Sequence, residues 1–384
     1  MVGEKRFRSG GLPVCCAAAI IGAAGPILAW PSPLRRVPQP TALEFPFDTA
    51  PAPGAVREVA PGLAWLRMPL PFDLDHINLW LLDDEQEGRA ALALVDTGLG
   101  DAATQALHAQ VLGSAAQGRR LARLLVTHYH PDHAGCAAWL AERHGAELWM
   151  TRGEFLTVHA ARTGSAGYSV AEQIGLFRAH GLDEDAARAL HSRGNLYGRM
   201  VPGFPAAHRR VLEGDVLRIG ARSWRAIVGY GHAPEHLSLY SPELNVLVAG
   251  DMLLPKISTH VAVRPVDPMS NPLRMFLDSI ARLRELPEDV LVLPSHGLPF
   301  RGAHARIAAL EAHHAARLEA LEAVLREAPR AAAEVLEALF RRRLDSGAMF
   351  FAMGEAIAHL HFLYYAGRAE RRTGADGVVR FAAL

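Results

Sequence analysis

Residues 127–133 read THYHPDH, directly after the apolar run LARLLV at 121–126. His128, His130, Asp132 and His133 therefore stand where a strand ends and a helix begins. Imidazole and carboxylate together suit Zn²⁺ and similar borderline ions. His128 and His130 are two residues apart and point the same way in an extended turn. Asp132 and His133 follow one turn later and can face a second ion. Three later segments end apolar runs in the same manner: GYGHAPEH places His232, NVLVAGD places Asp251, and LVLPSHG places His296. A sheet that ends each strand at one rim delivers such side chains to a common place. A strand-end histidine alone carries little weight; these residues in this order carry much more.

The rest of the chain supplies the sheet. GLAWLRMPL, HINLWLLDD and ALALVDTGLG have strand character. DAATQALHAQVL has helical period, and AGCAAWLAERHG reads as one helix closed by Gly145. AELWMT is the next strand. Residues 152–210 read as a helical insertion, the usual material of a lid or pocket wall. Strands resume in RVLEGDVLRIG, SWRAIVGYG, LSLYSPELNVLVAGD and VLVLPSHG. This alternation implies helices packed on a sheet. After residue 302 a long amphipathic helix, with Ile307, Leu310, Leu318 and Leu321 on its apolar side, leads to the helical segments AAAEVLEALFRRRL and AMFFAMGEAIAHLHFLYYAG and a hairpin-like tail.

Composition narrows the class. The 384 residues are 50% hydrophobic, and 40 Lys+Arg balance 40 Asp+Glu, so no global charge points to nucleic acid or a membrane surface. Three cysteines, Cys15, Cys16 and Cys136, make no disulfide framework, and Cys136 is expected to be a small buried thiol. At the N-terminus EKRFR precedes GLPVCCAAAIIGAAGPILAW, which fits a secretory signal, a membrane anchor or a translated leader. Pro13 and Pro26 interrupt the stretch, and Pro-rich WPSPLRRVPQP reads as a linker. The expected division is a leader and linker at 1–40, a catalytic domain at 41–302 and a C-terminal domain at 303–384. The expected location is cytoplasmic, with export or anchoring through residues 1–30 as the alternative. No stable membrane span is expected in the catalytic domain.

On these motifs the chain resembles the metallo-β-lactamase fold superfamily over about residues 55–302. THYHPDH looks like its signature, and GHAPEH, AGD and PSHG look like its later metal motifs. The resemblance implies an α/β fold, an αββα sandwich with a dinuclear site at one sheet edge. It implies that His128, His130 and His232 hold one metal, that Asp132, His133 and His296 hold another, and that Asp251 bridges them. The glyoxalase II-like branch has this ligand set, so two Zn²⁺ are expected, with Fe or Mn as alternatives. Asp96 in VDTG matches a further motif and is expected to orient a ligand imidazole; an Asx turn with Thr97 and Gly98 is the alternative. The third motif departs from the usual Gly-His-Thr-Pro-Gly-His: Ala233 and Glu235 replace Thr and Gly. Glu235 is expected to point to solvent, or else to alter the hydrogen bonding around the metals, and His236 to be structural. Residues 303–384 look like the small winged-helix-type domain appended to some of these hydrolases.

A metal pair lowers the pKa of water towards neutral and polarises a carbonyl or phosphoryl oxygen. The expected activity is hydrolysis of a small thioester, lactone or ester, with Asp132 as proton acceptor as well as ligand. The alternatives are a metal-dependent ribonuclease or phosphodiesterase, or a β-lactam hydrolase. Only 296 − 251 = 45 positions separate Asp251 from His296, which leaves no room for the large domain of one nuclease branch. Arg341, Arg342, Arg343, Arg371 and Arg372 are the candidates for nucleic-acid contact, though a solvated face is the simpler reading. Phe72, His76 and Asn78 are candidate pocket residues or, equally, side chains that pack or satisfy backbone groups, and Lys256 is a candidate contact for a substrate carboxylate or, equally, a solvated side chain. The expected partner is a small-molecule substrate, and a homodimer is compatible with the sequence.

Overall fold

The structure is a computed structural model that describes residues 43–114, 116–340 and 346–384. The readings of the leader, with Cys15 and Cys16, and of Arg341, Arg342 and Arg343 lie outside the described residues.

Two sheets face each other. The first joins β1 (Val56–Ala60), β2 (Leu63–Pro69), β3 (His76–Gln86), β4 (Arg89–Val95), β5 (Arg120–Leu125), β6 (Glu147–Met150) and β7 (Arg209–Arg210) in chain order. It is antiparallel from β1 to β4 and parallel from β4 to β7. The second comprises β8 (Val216–Ile219), β9 (Arg222–Gly229), β10 (His236–Ser241), β11 (Val246–Gly250) and β12 (Leu291–Pro294) in the order β12-β11-β10-β9-β8. Only its β11–β12 pair is parallel.

The two-residue period of a strand decides the layers. Trp65, Trp80, Leu82, Ala93 and Val95 turn inward and meet Trp224, Leu237, Leu239 and Val248 of the opposite sheet. Their neighbours Leu66, Leu79, Leu81, Leu92 and Leu94 turn outward and pack with Val111, Leu140 and Val158 of the covering helices. The outer face of the second sheet, with Leu247, Ala249 and Val292, packs with Phe276, Ile280 and Ile307. Both faces of both sheets are thus buried, which explains the near-continuous apolar runs. The fold is the αββα sandwich, followed by a mostly helical C-terminal region.

That region comprises the helix Ala303–Glu327, the helix Ser346–Tyr365 and a hairpin of β13 (Ala369–Thr373) and β14 (Val379–Ala383). AAAEVLEALF forms only a 3₁₀ turn, Ala332–Val335, and a single helical turn, Leu336–Leu339. Among the described residues no helix is long and apolar enough to cross a membrane.

Two further details differ from the sequence expectation. AGCAAWLAERHG is not one helix. A turn at Pro131–Ala134 is separated from the helix Ala137–His144 by Gly135 and Cys136. A Cβ at Gly135 would lie 2.4 Å from Gly100 N and 2.8 Å from Gly98 O, so backbone approaches backbone there. The loop after β4 packs on this break: Cys136 N donates to Gly98 O at 3.1 Å and Thr97 N to His133 O at 2.9 Å. The helix Pro272–Arg282 was not anticipated, although Asn271 caps it through Arg274 N and Pro272 starts it.

Candidate metal centre

All seven ligand-type side chains come together. His128, His130, Asp132 and His133 follow β5, His232 follows β9, Asp251 follows β11 and His296 follows β12. They form two groups, His128 with His130, His232 and Asp251, and Asp132 with His133 and His296; within each, the ligand atoms lie within 4.8 Å of one another.

His128 Nε2 is 2.9 Å from His130 Nδ1 and 3.1 Å from His232 Nε2. Ligand nitrogens about 2.0–2.1 Å from a tetrahedral ion stand about 3.3 Å apart, so these lone pairs already converge at nearly that spacing. Asp251 faces both groups. Its Oδ2 is 3.6 Å from His232 Nε2, and its Oδ1 is 3.6 Å from His133 Nε2 and 3.4 Å from His296 Nε2. Asp132 Oδ2 lies 3.5 Å from His296 Nε2 and 3.6 Å from His133 Nε2.

The electrostatics call for a cation. Burial holds the His128 and His130 imidazoles well below their usual range, with His133 crowding the first and His232 the second, so both rings are neutral. His133 goes the other way. Burial opposes its protonation, but the Asp96, Asp132 and Asp251 carboxylates outweigh burial and raise it to about 10. For Asp251, burial is outweighed by His296 and His133, which hold its carboxyl well below the carboxylate range. Three carboxylates converge on one buried histidine, and His133 Nε2 and Asp251 Oδ1 are buried with no hydrogen-bond partner. Such orphans cost about 1–3 kcal/mol each unless something else satisfies them. A divalent ion satisfies both, so the residues present fit a metal.

The surrounding bonds fix the ring orientations. Asp96 Oδ2 pairs with His133 Nδ1 at 2.8 Å, and Asp96 Oδ1 accepts from Thr127 N at 2.8 Å. Asp96 has φ +62°, a left-handed conformation that Asp tolerates, and its side chain turns towards His133 and Thr127 rather than into an Asx turn. His232 Nδ1 faces His260 O at 2.7 Å, and His296 Nδ1 faces His76 O at 2.7 Å. His236 accepts from Asp251 N at 3.1 Å. A Cβ at Gly250 would fall 2.3 Å from that ring nitrogen, which is why glycine precedes Asp251.

Several other expectations find a definite place. Cys136 is buried, its thiol pushed up to about 12 by desolvation, so it offers no thiolate nucleophile. Asn78 is not a pocket residue. It accepts from Trp65 Nε1 at 2.9 Å and donates to Pro294 O at 2.8 Å, holding the loop that carries His296. His76 supports the same loop, with Gly297 N donating to its Nε2 at 2.8 Å. Phe72 does line the cavity beside the metal residues, whereas Lys256 is exposed and away from it. Glu235 neither points to solvent nor approaches the metal residues: it accepts from Gly153 N at 2.8 Å, at the start of the helix Arg152–Thr163.

Sequence reasoning missed Glu154, which is fully buried and accepts from Tyr129 N at 2.8 Å and Glu235 N at 2.6 Å. One carboxylate thus ties the first metal motif to the third. No local pattern marks it, because both partners are remote in sequence. Burial raises its pKa to about 8. A carboxyl raised in the folded state stabilises the fold most below its unfolded value and loses that contribution as pH rises through the folded value. Relative to Glu154→Gln, which does not titrate, the wild type is expected to lose stability between about pH 4.5 and 8. The loss is on the order of 1.4 kcal/mol per pH unit, read from urea unfolding at each pH. A parallel pH dependence in the two proteins would refute it.

Two facing sheets with a histidine- and aspartate-rich centre at one rim define a metallo-hydrolase of the αββα class. The family comparison agrees: residues 72–296, more than half of the chain, match the Metallo-beta-lactamase superfamily model, and residues 318–384 match "Metallo-beta-lactamase-like, C-terminal domain". The chain belongs to the metallo-beta-lactamase superfamily. Among curated proteins it is 24% identical over 303 residues to the probable metallo-hydrolase YqjP of Bacillus subtilis (strain 168), covering 78% of this chain and 91% of that one. Among solved structures it resembles a beta-lactamase domain protein from Burkholderia ambifaria at 46% identity and TM-score 0.83, over 89% of this chain and 98% of that one. A metallo-beta-lactamase family protein from Thermus thermophilus follows at 31% identity and TM-score 0.68, over 85% of this chain and all (100%) of that one.

Proposed function

We propose that this protein is a dinuclear metal hydrolase, glyoxalase II-like in its ligand set, acting on a small thioester, lactone or ester. One observation carries the reading: the two oxygens of Asp251 face two separate groups of ligand atoms. His128, His130 and His232 would hold one ion, Asp132, His133 and His296 the other, with Asp251 shared. Zn²⁺ suits the imidazole-rich set. Ions held there would make water nucleophilic near neutral pH and polarise the oxygen of the scissile group. Asp132, less buried than the histidines around it, accepts the proton of the attacking water. Asp96 keeps His133 presented through Nε2, and the carbonyls of His260 and His76 do the same for His232 and His296.

The cavity beside these residues measures about 250 Å³ and is lined mostly by apolar side chains. Its walls come from the insertion at 152–210 and from the helix Ser346–Tyr365 as well as from the rim of the sandwich. We therefore read 41–302 as the catalytic domain and 303–384, winged-helix-like in its helices and hairpin, as a brace for its active-site wall. An apolar cavity favours an acyl substrate over a polyanion. Of the arginines an RNA reading would use, Arg372 already pairs with Glu370 at 2.7 Å.

The test is metal analysis of the purified chain with a panel of thioesters, lactones, esters, β-lactams and single-stranded RNA, each with and without chelator. Chelator-sensitive ester or thioester hydrolysis is expected, and chelator-sensitive cleavage of RNA alone would replace the reading with the nuclease one. Absence of stoichiometric metal, or hydrolysis intact in His130→Ala, would end it. Asp96→Asn is expected to weaken metal affinity by about 10–100-fold, the usual cost of losing a carboxylate behind a ligand histidine. Competition with a chromophoric chelator measures it, and unchanged affinity would remove Asp96 from the site.

A further inference from the structure

The cavity is lined mostly by apolar side chains, with Gln173, Arg193 and Asn195 among its polar ones. Phe72, Tyr168, Ile174, Leu196, Phe350 and Phe351 contribute to its walls. At the end next to His130 stand Arg264 and Tyr129. The Arg264 guanidinium lies 5.7 Å from the centroid of the Tyr129 ring, and among the described residues it makes no side-chain hydrogen bond or ion pair. It is only partly buried. The Tyr129 hydroxyl is a second unpartnered group: it is buried and has no hydrogen-bond partner, in a residue only 3% exposed. A guanidinium and a phenol left unpaired beside one apolar cavity are two donors without an acceptor. Such a pocket, apolar with a few convergent polar groups, is the usual form of a site that orients a small ligand.

We propose that the substrate's acyl group is apolar, of aryl or branched-alkyl bulk, and carries a carboxylate that Arg264 and the Tyr129 hydroxyl bind. This deepens the hydrolase reading and rests on it only for the bond that is cleaved. A carboxylate on a guanidinium forms a charge-assisted pair that water does not fully match in a cavity of this kind. The anion contact foreseen at Lys256 thereby falls to Arg264, eight positions later. The aromatic residues Phe350 and Phe351 make the C-terminal helix part of the acyl pocket. Arg264 lines the same cavity as His130, Asp132 and Asp251, so an anchored carboxylate sits beside the metal residues and the acyl carbonyl within their reach.

The test is calorimetric binding to the full-length chain, zinc-loaded and chelator-treated, with three probes: 4-phenylbutyrate, uncharged 4-phenylbutanol and butyrate. Phenylbutyrate is expected to bind at least tenfold more tightly than either of the others, in both forms of the protein. Arg264→Met should bring the acid down to the affinity of the alcohol and leave the alcohol unchanged; Arg264→Lys should restore part of the difference. Tyr129→Phe should cost the acid several-fold. Equal binding of acid and alcohol to the wild type overturns the anion contact. So does a preference that survives Arg264→Met, or one that vanishes with chelator because zinc alone holds the carboxylate. Butyrate binding as tightly as phenylbutyrate overturns the apolar pocket. The hydrolase reading fails separately, if the zinc-loaded chain binds phenylbutyrate as described yet cleaves no ester or thioester.

Discussion

On the proposed two-ion reading, Asp251→Ala is expected to lower metal content to one ion per chain or fewer and hydrolysis by roughly a thousandfold. Its carboxylate is the only one of the seven side chains with an oxygen towards each group, 3.6 Å from His232 Nε2 on one side and 3.4 Å from His296 Nε2 on the other. Removing it takes a ligand from both positions and a negative charge from between His133 and His296. The backbone bonds of this residue survive the substitution, while its side-chain pairs with His133, His232 and His296 are lost. Asp251 N donates to His236 Nε2 at 3.1 Å and Asp251 O accepts from Thr259 Oγ1 at 2.6 Å, and alanine keeps both. The metal-free variant should therefore keep the fold, at a lower thermal midpoint than the metal-free wild type, because the buried pairs with His133 and His296 are gone. Elemental analysis after equilibration with zinc and desalting, with hydrolysis measured on the same samples, provides the check. Two retained ions with undiminished turnover would remove Asp251 from the centre.

Truncation after residue 302 is the second large effect: the fragment is expected not to fold. Leu247, Phe276, Ile280, Val292 and Phe300 belong to the same core cluster as Ile307, Leu310, Leu321, Ile357 and Leu360 of the two long C-terminal helices. A side chain of this size moved from core to water costs about 1.5–3 kcal/mol. Five that lose much of their cover approach the whole stability of a domain, about 5–15 kcal/mol. Polar ties add to this. Arg306, fully buried, donates to Leu254 O at 2.6 Å and Ile257 O at 2.8 Å, clamping the loop that leaves Asp251. His260, whose carbonyl faces His232, meets Phe351 O through its Nε2 at 3.2 Å. Soluble yield and circular dichroism of the fragment are the measurements. A soluble fragment that unfolds cooperatively and binds metal in full would show that the C-terminal region is an appendage.

The centre was legible because its chemistry is written locally. Each ligand-type residue lies in the loop or turn that follows an apolar strand run, at one rim of the sheets. The sandwich was legible for a related reason: Trp65 and Leu66, or Trp80 and Leu79, are both buried but on opposite faces, so the strands read as continuous apolar runs. What stayed hidden depends on partners far along the chain. Glu154 matters because Tyr129 and Glu235 meet there, and Arg264 because the fold leaves it without an acid. Glu235 was misread because its partner, Gly153 N, is 82 residues away. The break at Gly135 was missed for the same reason, since Gly98 and Gly100 demand it from another strand's loop. The helix Pro272–Arg282, by contrast, carries its start signals locally, in Asn271 and Pro272.

The seven side chains divide between the two sheets, four after β5 and three after β9, β11 and β12. Ions held among them, as proposed, would join the halves of the sandwich at its rim. By mass action, an ion that binds the folded chain alone adds about 2.7 kcal/mol at a hundred times its dissociation constant and about 4.1 at a thousand times. Unfolding and metal release then become one equilibrium. The thermal midpoint and the rate of proteolysis of this chain should follow the free zinc concentration, and a chelator should act on it as a denaturant does.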